Sequence, residues 1–222
     1  GAGGAAVAWV NDPSALFHNP AGLAHTGRFA SLIDISYLSG RITGSPGNAP
    51  EATSIQSEPT AAPFFMIGAA GAATEKIRLG LAFYPIASAG GSYEYTLVGN
   101  PVVDSTKLVF LEASPGLAIR LPGRVNIGLG YRFTLMTLTR LTQPEGQLPT
   151  TNFELTGSEA SGFRAGLQWT ALEASKGPIE LQLGLSYRHR VIVPVTAANG
   201  TAVTMNFRDI ESTFTLPSRL IA

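Results

Sequence analysis

In the stretch "YRFTLMTLTR", Arg132 and Arg140 stand an even number of residues apart in a run of alternating apolar and polar side chains. On an extended strand such residues share a face, so both guanidiniums project to one side. A guanidinium is a planar fork of donors that grips a carboxylate bidentately. Glu112 and Glu180 lie in runs of the same kind, so the arginines either pair with these carboxylates or meet an anionic ligand. The other reactive residue types form no catalytic set. His18, His25 and His189 are scattered without ligand-type spacing and imply no metal. No G-x-S-x-G stretch is present, and no histidine has a Ser-and-acid constellation beside it, so nucleophilic catalysis has no support. The chain holds no cysteine, which removes thiol chemistry and thiolate metal sites. The opening "GAGGAA" lacks a preceding strand and the spacing of a phosphate loop and reads as a flexible leader. No cofactor is implied.

A second stretch, "NDPSALFHNPAGLAH", has a different character. Asp12 can cap a short helix with Pro13 at its first position, where a missing N–H costs nothing. Asn19 before Pro20 favours an extended conformation, Ala21 follows, and Gly22 permits a left-handed residue, which predicts a tight reversal after His18. The segment is compact, apolar and not a strand.

Behind it the chain alternates with period two. Outward-inward pairs of faces recur in "RFASLIDISYLSG", "KIRLGLAFYP", "LVFLEASPGLAIR", "RVNIGLGYRFTLMT", "GFRAGLQWTA" and "IELQLGLSYRHR", and "PFFMIGAAGAA" is apolar on both. These make seven strands, with an eighth beginning near "STFTLPSRL". Short turns around "TEK", "LPGR" and "EASKGP" join strands two to three, four to five and six to seven. Segments of about twenty residues, rich in Gly, Pro, Ser, Thr and Asn, separate the other neighbours, longer than loops in compact domains usually run.

Fifteen basic residues balance fifteen acidic ones, which leaves no basic footprint for nucleic acid. Charged residues are only 14% of the chain, yet no apolar run approaches the ~18 residues of a membrane helix. Apolarity without a helical span points to a membrane β-barrel or to a buried soluble β-sandwich. Sorting of short turns to one end and long connections to the other, with strands of about ten residues, is the pattern of an outer-membrane barrel whose apolar face meets lipid. Phe29, Tyr37, Phe64, Tyr84 and Tyr187 near strand ends would form interfacial girdles.

With "IRLGLAFYP", "VNIGLGYRF" and "LQLGLSYR", with Asn19-Pro20-Ala21-Gly22-Leu23 after "DPSAL", and with the late "TFTLPSRL", the sequence resembles the FadL-type outer-membrane transporters of long-chain fatty acids and other hydrophobic compounds. The resemblance implies an all-β, transmembrane antiparallel barrel: residues 1–27 as a helical hatch inside it, and 28–222 as the first seven to eight of fourteen strands, the rest lying beyond Ala222. It implies passive uptake across the bacterial outer membrane, with no chemical step. The partners would be outer-membrane lipid and hydrophobic ligands such as fatty acids, aromatic hydrocarbons or detergent. Asn19, Pro20, Ala21 and Gly22 would shape the gate, and Pro85 would either mark a kink that opens the wall sideways or merely end its strand. Arg132 and Arg140 would be candidates for a cargo carboxylate. Two other readings predict different behaviour: a structural or adhesive barrel whose long loops bind a partner, and a secreted soluble sandwich.

Overall fold

The architecture comes from a computed structural model that describes residues 6–44, 55–97, 99–172, 180–200 and 211–222. Two single-turn helices, α1 (Ala6–Trp9) and α2 (Ala15–His18), lead into a 3-10 turn at Pro20–His25. Twelve strands follow: β1 (Phe29–Gly40), β2 (Thr43–Gly44), β3 (Ile55–Gln56), β4 (Thr60–Ala72), β5 (Ile77–Leu97), β6 (Asn100–Leu121), β7 (Val125–Pro144), β8 (Thr151–Leu172), β9 (Leu181–Arg188), β10 (Val191–Gly200), β11 (Glu211–Leu216) and β12 (Arg219–Ile221). All but β2 and β3 join one antiparallel sheet. β9 and β10 both pair with β8, at Arg188↔Arg164 and Val195↔Gly157, and together make the expected seventh line. β11 and β12 make the eighth, pairing at Val191↔Leu216 and Arg219↔Arg188. The sheet is all-β and does not close on itself among the described residues.

Two of the expected twenty-residue loops are strand. β5 and β6 run to 21 and 22 residues and meet across Leu97↔Asn100; β7 and β8 run to 20 and 22 and pair as far as Thr142↔Thr151. Their outer halves lack the apolar alternation of the inner halves, so composition reads them as loop. The backbone ladder needs no apolar face to continue. At Gly90 an added Cβ would collide with the Thr106 carbonyl of the neighbouring strand. The short turn at "LPGR" is as expected: Gly123 takes φ 77, the left-handed region that favours glycine. The expected turn "EASKGP" and residues 1–5 of the leader fall outside the described residues.

The burial pattern is inverted relative to a water-soluble fold. Ile33, Ile35, Leu79, Leu81, Leu129, Leu135, Leu167, Leu183 and Leu185 are exposed around the convex face, while Arg78, Glu112, Asn126, Arg132, Arg164 and Gln168 are buried on the concave one. A soluble sandwich would bury the first set and expose the second, so the sandwich reading fails. Tyr84 also departs from expectation: it is buried in the interior, not in a girdle, because it shares the inward parity of Arg78 and Ala82.

Candidate functional site

The N-terminal segment lies in the hollow of the sheet. Ala15, Leu16 and everything from Asn19 to Ala24 are buried. The Asp12 carboxylate accepts from the Ser14 amide at 2.7 Å, which closes the turn before α2. Asn19 is extended (φ −158°, ψ 107°), as a residue before proline prefers. Gly22, however, is not left-handed; among the described residues the positive-φ glycines are Gly99, Gly123 and Gly146. It is glycine because its Cα abuts the Val10 carbonyl, where a side chain would collide.

The sheet receives this segment on inward-facing glycines from successive strands. A Cβ on Gly80 would reach Leu23 at 3.1 Å, on Gly116 Leu16 at 2.5 Å, and on Gly184 the Val7 carbonyl at 2.5 Å. On Gly128 it would overlap the Pro20–Ala21 backbone, and on Gly166 the Asn19 carboxamide. Each of these glycines precedes a leucine in sequence, so one dipeptide serves both faces: glycine makes room inside, leucine meets the outside. Gly130, inward on the same strand as Gly128, could carry a Cβ in ordinary van der Waals contact, its nearest neighbour being 3.7 Å away.

Polar anchors fix the segment on this shelf. The Asn19 side-chain amide donates to the Val7 carbonyl (2.7 Å) and the Leu167 carbonyl of β8 (3.0 Å), and its oxygen accepts from Ala21 N–H (3.1 Å). Gln168 also donates to Val7 (3.0 Å). At the far end Arg120 donates to the Ala24 carbonyl (2.6 Å), Arg78 to the Thr26 carbonyl (3.2 Å), and Asn126 meets His25 Nε2 at 2.8 Å. Burial, then the Arg120 charge, lowers the His25 pKa from its usual value. Burial, then Arg164, lowers that of His18, with Asp12 opposing. His189 stacks on Phe163, centroids 4.7 Å apart, and lies far from the other two histidines in the chain.

Above the segment, the inward faces of β5 to β8 bring together Tyr84, Glu112, Arg132 and Arg164. Arg132 donates to Glu112 at 2.7 Å and to the His189 carbonyl at 2.8 Å; Arg164 Nη2 lies 2.9 Å from Glu112; Tyr84 donates to Glu112 at 2.5 Å. Arg164 also donates to the Leu16 carbonyl and to the Tyr84 hydroxyl. Arg132 thus takes the pairing with Glu112 that parity allowed. Arg140 does not join it. It sits on the outer half of β7, half-exposed, paired with Asp104 at 3.2 Å, and Glu180 is exposed and accepts from Gln182.

Two apolar clusters flank this polar row. One joins Leu16, Leu23, Ala24, Ala70, Ala82 and Tyr84, with Phe17, Met66 and Ile86 at its margin. The other joins Phe110, Met136, Leu155, Val191, Val193 and Val195. Beside the first, the wall parts. β4 and β5 pair from Ala72↔Arg78 to Ile67↔Phe83 and then separate, meeting again in the same register at Ser57↔Tyr93. Pro85 stands just past the last pair, and β5 slips register against β6 between Pro85 and Ala87. Proline lacks the N–H a ladder requires. It does not end its strand, for β5 continues to Leu97.

No model of a known protein family matches the sequence, and no curated protein matches it. Among solved structures the chain is similar to the crystal structure of a Pseudomonas aeruginosa FadL homologue, with a TM-score of 0.52 and 14% identity over 86% of this chain and 51% of that one. The fold is FadL-like. The chain spans about half the length of that structure, and the unclosed sheet accords with this coverage. The FadL-like arrangement contains features that motif reading had missed, Arg164, Tyr84 and the glycine shelf. The repeated Gly-Leu at 80–81, 116–117, 128–129, 166–167 and 184–185 is the sequence signal by which the last could have been found.

Proposed function

We propose that this chain is part of an outer-membrane channel for passive entry of long-chain fatty acids or other hydrophobic small molecules, with residues 1–27 as its hatch. The inverted polarity of the sheet supports a place in the membrane: apolar side chains outward, charged ones inward. The observation that carries the cargo class is the parting of β4 from β5 above Ile67↔Phe83, where Phe17, Met66 and Ile86 edge an apolar cluster. In a bilayer, unpaired strand edges cost several kcal/mol per backbone group, so an opening of this kind is retained for a use. A polar solute gains nothing from a sideways exit into hydrocarbon. A fatty acid does.

In this reading cargo enters from the side of the long outer strands and rests its chain among Phe110, Met136 and the valines of β10. Its carboxylate meets Arg132. Withdrawal of Asn19-Pro20-Ala21-Gly22 from the glycine shelf then opens the way, and cargo leaves by the wall gap at Pro85. The test is uptake of radiolabelled oleate by cells that lack their own transporter and express the full protein. Uptake above that of non-expressing cells, with no gain in entry of a sugar of similar mass, is expected; equal entry of both solutes would make it a general pore.

A further inference from the structure

The polar row contains buried donors without an acceptor. Arg132 Nη2 on β7, Thr134 Oγ1 two residues along the same strand, and Arg164 Nε on β8 make no hydrogen bond, and each of these residues is at most 1% exposed. Thr134 is the register partner of Glu112 and shares the inward face of Arg132, so the three groups belong to one site. Native proteins rarely leave such groups unfilled.

The row also holds more positive than negative charge. Glu112 is the buried carboxylate among the described residues, and Arg132 and Arg164 share it. Arg188, half-buried, is the register partner of Arg164, and Arg219 that of Arg188. Three arginines thus stand side by side across β8, β9 and β12. Like charges set directly opposite one another destabilise a sheet, and an anion among them relieves that cost. A monocarboxylate relieves little of it, for it brings one charge and two oxygens in one plane. A phosphate monoester carries about −1.5 to −2 charge at pH 7 and three acceptor oxygens, which spread around a tetrahedral phosphorus. Guanidinium forks bind phosphate bidentately. Next to the row, Met136 continues the inward face of Arg132 and Thr134 and packs with Phe110, Leu155 and the valines of β10, a bed for an alkyl chain.

We propose that this row binds a dianionic head group, and that the cargo of the channel includes long-chain phosphate monoesters. The inference rests on reading the chain as part of a channel for hydrophobic molecules, and it adds a head group to that reading. The phosphate oxygens accept from Arg132 Nη2, Arg164 Nε and Thr134 Oγ1, its second charge offsets Arg188, and the chain lies along Met136 and Phe110.

The test is calorimetric titration of the full protein, in a non-ionic detergent at pH 8, with four amphiphiles of one chain length: dodecyl phosphate, methyl dodecyl phosphate, dodecanoate and dodecanol. The methyl diester keeps the tetrahedral head and has a single charge; dodecanol supplies the background of partition into detergent. Dodecyl phosphate is expected to bind about tenfold more tightly than dodecanoate or the diester, the shift that one net charge-assisted hydrogen bond produces. Arg188→Gln and Thr134→Val should each erase part of that preference. The contrast among head groups uses the native protein and decides the proposal even if neither variant folds. Dodecyl phosphate that binds no more tightly than dodecanoate overturns the dianion site and leaves the transport reading standing. Inorganic phosphate that binds as tightly as dodecyl phosphate makes the row a site for the free anion and overturns the cargo class. If none of the amphiphiles binds above the dodecanol background and dodecanol itself only partitions, both readings fail.

Discussion

Gly166→Ala is the sharpest probe of the seat beneath the N-terminal segment. The added Cβ falls on the Asn19 carboxamide and comes within 2.9 Å of Pro20 Cδ. Asn19 is fully buried and makes three hydrogen bonds, to Val7, Leu167 and Ala21. Displacing it forfeits about 1 kcal/mol for each bond whose partner does not find water, and overpacking adds about 1–3 kcal/mol. A total of roughly 2–4 kcal/mol against the seated state lowers the seated-to-released ratio about 30- to 1000-fold. The perturbation is confined to the segment, because the Gly166 face turned to its neighbours in the sheet is unchanged. With a thiol placed at the buried Ala15 (Ala15→Cys) of this cysteine-free chain, labelling by a hydrophilic maleimide should accelerate by that order while heat-modifiable mobility of the barrel on gels stays native. Gly130→Ala is the matched control: inward, on the adjacent strand, with 3.7 Å of clearance, it should label at the parental rate. Gly166→Ala labelling no faster than Gly130→Ala would refute the shelf as the seat of the N-terminal segment.

Two further predictions follow from the same geometry. His18 and His25 have pKa values lowered by burial and by Arg164 and Arg120, so the seated segment binds fewer protons than the released one. The seated state is then fully stable above the unperturbed pKa of about 6.5 and weakens as pH falls below it. A spin label at position 15 should gain mobility as pH falls below about 6.5, and His25→Asn should flatten part of that response; mobility independent of pH would contradict it. Leu129→Arg, on the exposed convex face, should cost about 2–4 kcal/mol in folding into lipid vesicles if it lies near the bilayer midplane. A cost below about 0.5 kcal/mol, the range of ordinary surface substitutions in water, would place that face in solvent.

Much of the fold was legible because two constraints act on every strand at once. Alternation in "VNIGLGYRFTL" specifies which side chains face out, and one residue of slip would reverse them all, so the faces of β5 to β9 follow from the sequence alone. Asn19 before Pro20 likewise dictates its own extended backbone. The outer halves of β5 to β8 were not legible: their two faces are not sorted into apolar and polar, so the alternation fades, and only cross-strand pairing, a property of two segments, reveals them. The split of the seventh line at His189–Arg190 and of the eighth at Pro217–Ser218 was hidden for the same reason. In the site, parity placed Arg132 inward, with Glu112 and Glu180 both open to it as partners, yet put Arg140 in the same class, since parity says nothing of height along the strand. Arg164 and Tyr84 escaped notice because their importance comes from Leu16, a neighbour distant in sequence. Tyr84 illustrates the limit from the other side: an aromatic near a strand end suggests a girdle, and its inward parity with Arg78 and Ala82 was the better guide.

The central claim is that apolar cargo leaves through the wall between β4 and β5, and it can be tested by closing that gap. Ala62 and Ser88 face each other across its middle in the register set by Ile67↔Phe83 and Ser57↔Tyr93, and the chain offers no competing thiol. In the full protein carrying Ala62→Cys and Ser88→Cys, a short bifunctional thiol crosslinker that is cleaved by reductant should abolish oleate uptake, and reduction should restore it, while either single variant is indifferent to the reagent. Oleate uptake that persists at its uncrosslinked rate, with the crosslink verified by mass, would show that cargo does not pass this way.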